Sequence, residues 1–505
     1  MGDDNNQFDN PSRVGQIENV IVVVVDALRA DRVGAIGGGD LTPNIDSVAE
    51  SGAFFTNAYT CSPTTDASVT AINTGQYPLS TVYHHGKLVT DDEKRRVESV
   101  PTLPQLLQSE GIHTIAEGHS LGRWHDRGFD RYPELEVDQQ NRVVKKLSQM
   151  GLKGYQWVRE NYPVVADFIR DTYQELSDDV QFTNRNYDPT LLLDRKDRTP
   201  FFGFIHLMDT HFPYRASEED IQELLKKKEY EFEELEELYA QRELTDTQID
   251  RIEGSLDIHD ATHLDTLLAH YDATVMSADR KIGKLVSELR ERNLYDETAL
   301  FIMSDHGEAL LEHNVLLDHH TLHDPVMHIP LITNIESDNG NQIEHFIQQI
   351  DIAPTILDIL DIGSEPLMDG QSFWPLLRGD GNDWERRRAV FAEEAYTQRS
   401  VAIRTNEWKY IRYLDDEKLS EERGDSMVCG YCETEHGDRQ QLFNLRKDPG
   451  EVNNVLRDNE QVAEDLWGLY QDFLTDVSDV DKKERLVEYD DEEEVFDRLE
   501  SLGYR

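Results

Sequence analysis

The sequence predicts an α/β protein organised on buried, largely parallel strands, with a smaller α+β unit at its C-terminal end. Two observations carry this reading. Short aliphatic runs recur with helix-forming segments between them, which is the pattern of strands covered on both faces. Three of the four clearest runs also deliver Asp or His at their C-terminal ends, where open α/β sheets bind ligands.

Taken in order, the first run is Val20 to Val25, closed by Asp26. A Thr- and Ser-rich turn, FTNAYTCSPTTDASVTAINTG, then leads into a predicted helix whose free amides favour an anion. Phe201 to Leu207 is the next strong strand, followed by Asp209 and His211, and Ala299 to Met303 leads to Asp305 and His306. Ile329 to Thr333 is the fourth. The charged stretch from Ala216 to Asp257 mixes Glu, Leu and Lys and predicts a solvated helical insertion, in a position where a lid would also sit. From about Trp384 the pattern changes to short strands, AVFAEEA and KYIRYL, and then to an amphipathic helix from Glu460 to Val477 before an acidic end. The domain reading is therefore 1–383 for the main unit, with variable insertions near 134–200 and 215–262, and 384–505 for the C-terminal unit.

Lys and Arg number 50 against 101 Asp and Glu, a net charge of −51. Such a surface argues against nucleic acid or an anionic membrane as partner, both of which need a cationic footprint. With 38% hydrophobic residues there is still material for a large core. Dense surface carboxylates are what solubility in concentrated salt selects, so the chain reads as a halophile's protein. Cys61, Cys429 and Cys432 are too few to staple 505 residues. The CGYC spacing with His436 behind it is a weak metal signal, more often a surface loop. The N-terminal segment has neither a basic region nor an apolar stretch, and VIVVVV is too short to span a bilayer, which predicts a cytoplasmic protein with no integral membrane segment.

Four clusters must converge for a site to exist. Asp26 closes its strand as a candidate cation ligand, with helix capping as its plainer role, and Arg29 and Asp31 can pair in the turn behind it. Thr65 and Ser68 lie at the start of the Thr/Ser-rich helix. His206, Asp209 and His211 fall within six residues, and the run SDHGEALLEHNVLLDHHTLHDPVMH supplies Asp305 and His306, then His313, His319, His320, His323 and His328, several of which must be structural. Imidazole and carboxylate together suit zinc or manganese better than calcium, which prefers oxygen throughout.

These blocks, in this order, resemble the sulfatase branch of the alkaline phosphatase superfamily. VVVVDALRADRVG, LTPNIDSVAESGAFFTNAY, NTGQYP, HYDATVMSADRKIGKL, SDHGEALLEH, DIAPTILDIL, DGQSFWPLL and LFNLRKDPGEVNN carry the likeness, which runs from about Asn19 to Leu456 and is weak in both insertions. The resemblance implies a large mixed-sheet α/β/α sandwich with a small C-terminal sheet. It also implies an ester hydrolase binding one or two divalent ions, acting on an anionic small-molecule, glycan or lipid ester.

The chain departs from the family at the nucleophile. Sulfatases carry C/S-x-P-S-R, whose first residue becomes formylglycine, ten residues before the Gly of a T-G pair. Counting back from Gly75 gives Thr65, with Ala67 for Pro and Val69 for Arg. A threonine oxidised at its secondary alcohol would give a ketone, so Thr65 is expected to act as the hydroxyl it is. Cys61, in CSPTT, is a second-choice nucleophile that leaves no Arg in register. Ala27 stands where calcium sulfatases have a second Asp, and His306 where they have Asn. Thr nucleophiles and H-x(4)-H, matched by His206 and His211, resemble the superfamily's phosphodiesterases and phosphoethanolamine transferases.

The expectation is a phosphate-ester hydrolase, a diester most of all, with Thr65 as nucleophile and Asp26, Thr65, Asp305 and His306 round the metal. His211 and His319 would be acid catalysts, or with His206, Asp209 and His320 would serve a second metal or the substrate. Sulfate-ester hydrolysis, group transfer to a glycan or lipid, and a silent binding protein are the alternatives. The family's G-K-x-H element is not evident, with AEGHSLG offering only His119, while Arg123, Arg127 and Lys226 to Lys228 are the candidates for a local cationic rim.

Overall fold

The computed structural model describes residues 17–78, 100–121, 125–133, 187–195, 199–212, 214–227, 264–315, 317–338, 340–363, 368–379, 384–394, 400–414, 426–428 and 435–478. Arg123, Lys228, Cys429 and Cys432, with most of both predicted insertions, lie outside the described residues.

The chain opens with β1 (Asn19–Val25), helix α1 (Pro43–Ser51), the short strands β2 (Ala53–Phe55) and β3 (Ala58–Tyr59), and helix α2 (Thr65–Thr74). β4 (His113–Gly118) and β5 (Phe201–Leu207) follow, then the long helix α3 (Leu264–Glu291), β6 (Thr298–Ser304), β7 (Leu331–Thr333), β8 (Gln342–Ile343), β9 (Ile347–Gln348) and α4 (Ile352–Ile359). The C-terminal part holds β10 (Val390–Glu394), β11 (Ser400–Arg404), β12 (Trp408–Tyr413), the β13–β14 pair (Ser426–Val428 and Glu435–Asp438), β15 (Gln440–Asn444) and α5 (Glu460–Ser478). Within the Ala216–Asp257 stretch, a helix is described at Glu218–Lys227.

Seven strands form the main sheet in the order β4-β5-β1-β6-β7-β2-β8. β4, β5, β1 and β6 run parallel; β7 lies antiparallel to both β6 and β2. All seven residues of β1 are buried because each face of the strand meets its own core. Ile21, Val23 and Val25 pack with Ile45 of α1 and Ala278, Ile282 and Leu285 of α3. Val20, Val22 and Val24 pack on the opposite side with Val69 and Ile72 of α2 and Ile356 of α4. Side chains of a strand alternate faces, so a continuous valine run is the sequence form of a strand between two helical layers. The result is an α/β/α sandwich, as predicted.

A four-stranded antiparallel sheet, β10-β11-β12-β15, lies beside this sandwich. Val401, Ile403 and Leu442 share one core with Leu466 and Tyr470 of α5 and with Ala71 and Tyr77 at the end of α2. Ala402, Ile411 and Phe443 share another with Tyr59, Leu322 and Met327. Lys409 of β12 is fully buried and reaches Asp324 and Glu451, each at 2.8 Å, while Arg404 adds a second cation on Asp324 at 3.0 Å. The small sheet is thereby tied to the segment running from β6 to β7.

Candidate active site

Parallel pairing fixes the site's centre. Val25 of β1 is in register with Leu207 of β5 and Ser304 of β6, so Asp26 and Asp305 leave neighbouring strands at the same level and His206 sits one step inside. Asp26, Asp305, His206 and His306 are all buried. Thr65, at the first turn of α2, points its hydroxyl at this group, 3.3 Å from Asp26 Oδ2 and 3.3 Å from His306 Nε2. His306 Nε2 lies 3.6 Å from Asp305 Oδ2, and His206 Nε2 lies 3.4 Å from Asp26 Oδ2.

These separations are long for hydrogen bonds, which cluster near 2.7–3.0 Å. They match the edge of a tetrahedron drawn about a zinc-like ion with ligands at about 2.0–2.1 Å, which is ~3.3 Å. Asp26 Oδ1 and Asp305 Oδ2 are buried with no hydrogen-bond partner among the described residues. Two such carboxylates side by side would be costly without a cation. His306 faces Gly307 carbonyl through Nδ1 at 2.8 Å, so that nitrogen carries the proton and Nε2 presents a lone pair to the group. Asp26, Asp305, His306 and Thr65 therefore fit a divalent cation.

The field of the site separates its carboxylates. Burial would push Asp26 up, but His211, His306 and His206 beside it hold it well below the usual carboxylate range. Asp305 is raised by burial and by Asp26 beside it. For His206, burial is outweighed by Asp26 and Asp305, which raise it. His319, its ring tilted by 37° and centred 4.4 Å from that of His306, is held well below an ordinary histidine by burial and by His306 and His320 beside it.

Ala27 holds the turn after Asp26 in a left-handed conformation, φ 56°. Its amide donates to Asp305 Oδ1 at 3.1 Å and its carbonyl accepts from Tyr271 at 2.7 Å. Arg29 and Asp31 pair at 2.7 Å as the sequence suggested, and Arg29 also reaches Glu312 and the Glu308 carbonyl.

Other predicted residues fall as follows. His211 is close enough to lower Asp26, and its Nδ1 faces the Phe212 carbonyl. His320 Nε2 turns to Asp318 at 3.3 Å rather than to the Asp26 group. Asp209 is drawn away from the site: its carboxylate sits on Lys281 at 2.7 Å and Ser277 at 2.8 Å, anchoring α3, which corrects its placing as a ligand or as the partner of His211. Cys61 is fully buried among Ala71, Tyr77 and Ile350 in an apolar cluster that pushes its thiol up, the opposite of what a nucleophile needs. His119 lies with its ring 5.7 Å from His206, and Arg127 donates to the Val100 carbonyl at 3.4 Å.

Sequence reasoning missed two residues. His125 reaches Asp66, the neighbour of Thr65, at 3.2 Å, with both side chains buried. Its signal was Gly122-Arg123-Trp124-His125, which is G-K-x-H with Arg in place of Lys. Asp318 joins His319 and His320 in a second group of donors.

The α/β/α sandwich with its parallel strands β4, β5, β1 and β6 is a fold that ester hydrolases use. Residues 18–362 match the sulfatase family model, and residues 312–422 match the C-terminal model of N-sulphoglucosamine sulphohydrolase. The chain belongs to the sulfatase family. It is 24% identical to the uncharacterized sulfatase YidJ of Escherichia coli over 87% of this chain and 83% of that protein. It is 25% identical to the choline-sulfatase of Rhizobium meliloti over 86% of this chain and 82% of that one. Among solved structures it resembles a 2-O GAG sulfatase (TM-score 0.60, 19% identity, covering 94% of this chain and 95% of that one). It also resembles a phosphonate monoester hydrolase of Agrobacterium radiobacter (TM-score 0.61, 17% identity, covering 91% and 95%). Among the described residues no helix is long and apolar enough to cross a membrane.

Proposed function

We propose that the chain is a divalent-metal-dependent hydrolase of sulfate esters that uses Thr65 as its nucleophile. The observation that carries the site reading is the set of ~3.3 Å edges joining Thr65, Asp26 and His306 round two orphaned carboxylate oxygens. The choice of ester rests on the relatives, most of which are named as sulfatases; they give the phosphodiester expected from sequence no support.

A cation held by Asp26, Asp305, His306 and Thr65 would supply Lewis-acid neutralisation of charge gathering on the ester. Thr65 Oγ attacks sulfur in line, the new O–S bond forms as the ester O–S bond breaks, and the Thr65 proton passes to the Asp26–Asp305 pair. His211 protonates the departing alcohol oxygen. Water then attacks the sulfo-threonine and releases sulfate. The amides at the start of α2 favour the anion throughout. The donor set, half carboxylate and part imidazole, favours zinc or manganese over calcium.

A second reading, phosphate-ester hydrolysis, is favoured by Thr65 itself. A formylglycine hydrate can expel sulfate by re-forming its carbonyl, whereas a threonyl ester must be cleaved by water at the central atom. One experiment separates the two. Zinc-, manganese- and calcium-loaded protein is assayed in molar salt against a sulfate ester, a phosphate monoester and a phosphate diester of the same aryl alcohol. Highest kcat/KM on the sulfate ester supports the first reading, and a phosphate ester leading overturns it.

A further inference from the structure

We propose that Gln349 positions the Thr65 nucleophile: its buried side-chain amide bridges the loop that leads into α2 and the end of β6 that carries Asp305. The inference rests on Thr65 being the nucleophile of the proposed reaction. Gln349 lies between β9 and α4, far in sequence from everything it joins.

Both ends of the amide meet distant segments. Oε1 accepts from the Cys61 amide at 3.3 Å and lies 3.0 Å from Thr60 Oγ1. Nε2 donates to the Ser304 carbonyl at 3.3 Å and to the Asp305 carbonyl. These partners fix which way the amide faces, because the Cys61 N–H can only donate and the two carbonyls can only accept. Thr60 carries the connection into the helix. Its Oγ1 stands 3.1 Å from Ser68 Oγ, and Ser68, one turn beyond Thr65 in α2, donates through its hydroxyl to the Ser62 carbonyl at 2.7 Å. Thr60, Ser62, Ser68, Gln349 and Asp305 are all buried. Gln349 also stands on a fixed base: the Gln348 amide donates to Asp351 Oδ2 at 2.8 Å, and Arg387 donates to Asp351 Oδ1 at 2.6 Å.

The bridge matters because Thr65 is not held at the site by its own hydroxyl. Its two contacts there, with Asp26 and His306, are both 3.3 Å, too long for strong hydrogen bonds. Its reach is therefore set from behind, by where the first turn of α2 stands relative to the strand ends. Val69 and Ile72 pack α2 on the sheet, but apolar contact is non-directional and tolerates a slide that directed hydrogen bonds resist. A displacement of about 1 Å at a reacting atom costs roughly 10²-fold in rate.

The full chain, loaded with zinc and kept in molar salt, is assayed on an aryl sulfate and on the matching aryl phosphate, with zinc content and circular dichroism read on the same samples. On the ester that the parent turns over faster, Gln349→Met, which keeps the side chain's length and removes its amide, should lower kcat by about 10²-fold with KM within about threefold and zinc content unchanged. Thr60→Val should lower kcat by about tenfold, and Thr60→Ser, which restores the hydroxyl, should return it to within about threefold of the parent. Because both residues belong to one bridge, Thr60→Val/Gln349→Met should fall no more than about threefold below Gln349→Met alone, where independent effects would multiply to roughly 10³-fold. A folded, zinc-loaded Gln349→Met within about threefold of the parent overturns the inference, as do a loss confined to KM, a loss of zinc, or effects that multiply. Should Gln349→Met not fold, Thr60→Val decides alone, and parental kcat in it overturns the inference. Thr65→Ala in the same series keeps the two readings apart. Its activity would remove the nucleophile and this inference with it, whereas an inactive Thr65→Ala beside an unimpaired Gln349→Met removes the positioning role alone.

Discussion

Replacing Thr65 by alanine separates catalysis from folding at one side chain. The Thr65 hydroxyl lies 3.3 Å from both Asp26 Oδ2 and His306 Nε2, too far for strong hydrogen bonds, so its loss costs ~1 kcal/mol of stability or less. Alanine is also the best residue for a helix, and position 65 begins α2. In the proposed reaction the side chain is the nucleophile, and removing a nucleophile from an intact site lowers kcat by about 10⁴- to 10⁶-fold, roughly 5–8 kcal/mol of barrier. Initial rates on the preferred aryl ester, with zinc content measured in the same samples, make the comparison. Thr65→Ala should be dead yet folded and zinc-loaded, while Thr65→Ser, which keeps a hydroxyl at the helix start, should stay within about tenfold of the parent. Thr65→Ala within tenfold of the parent, or Thr65→Ser as inactive as alanine, would refute the nucleophile assignment.

Two further outcomes follow from the buried charges. Lys409→Met leaves Glu451 without its cation while Asp324 keeps Arg404, so the loss should be near 3 kcal/mol, at the low end for a broken buried pair; urea unfolding showing less than 1 kcal/mol would contradict the role given to this network. His313, stacked at 3.6 Å on His323, is held down to about 4 by burial and by Lys409. The unfolded chain takes up that proton near 6.5 and the native chain only near 4, so stability present above pH 6.5 is lost as pH falls. The loss from this residue is about 2 kcal/mol between pH 7 and 5. His313→Asn, which suits the local φ of 55°, should show that much less acid sensitivity in urea titrations, and an unchanged pH slope would count against it.

The strands and the heart of the site were legible because one physical rule wrote both. A strand between two helical layers must be aliphatic at every position, so the first polar residue after it, Asp26 or Asp305, marks the edge where ligands bind. Thr65 was legible by counting back from Gly75, which ends α2 at φ 63°. What stayed hidden depends on where side chains turn. The step from Asp209 to Lys281 and the pairing of Asp66 with His125 join segments far apart in the chain, and the gathering of Asp318 with its two histidines is set by side-chain direction in a loop; sequence periodicity gives no signal for either. The neighbouring strands β2 and β8, two or three residues long, were likewise too short to show alternation.

The left-handed turn at Ala27 bears on how metal preference can change by descent. Alanine holds φ 56° there only because its amide and carbonyl are both engaged, by Asp305 and Tyr271. Aspartate is among the few residues that tolerate this conformation better than alanine does. A single substitution at this position would therefore add a carboxylate next to Asp26 without moving the main chain. In lineages with this frame, oxygen-rich and imidazole-containing metal sites part at positions 27 and 306, and at the first of these the backbone is neutral ground between them.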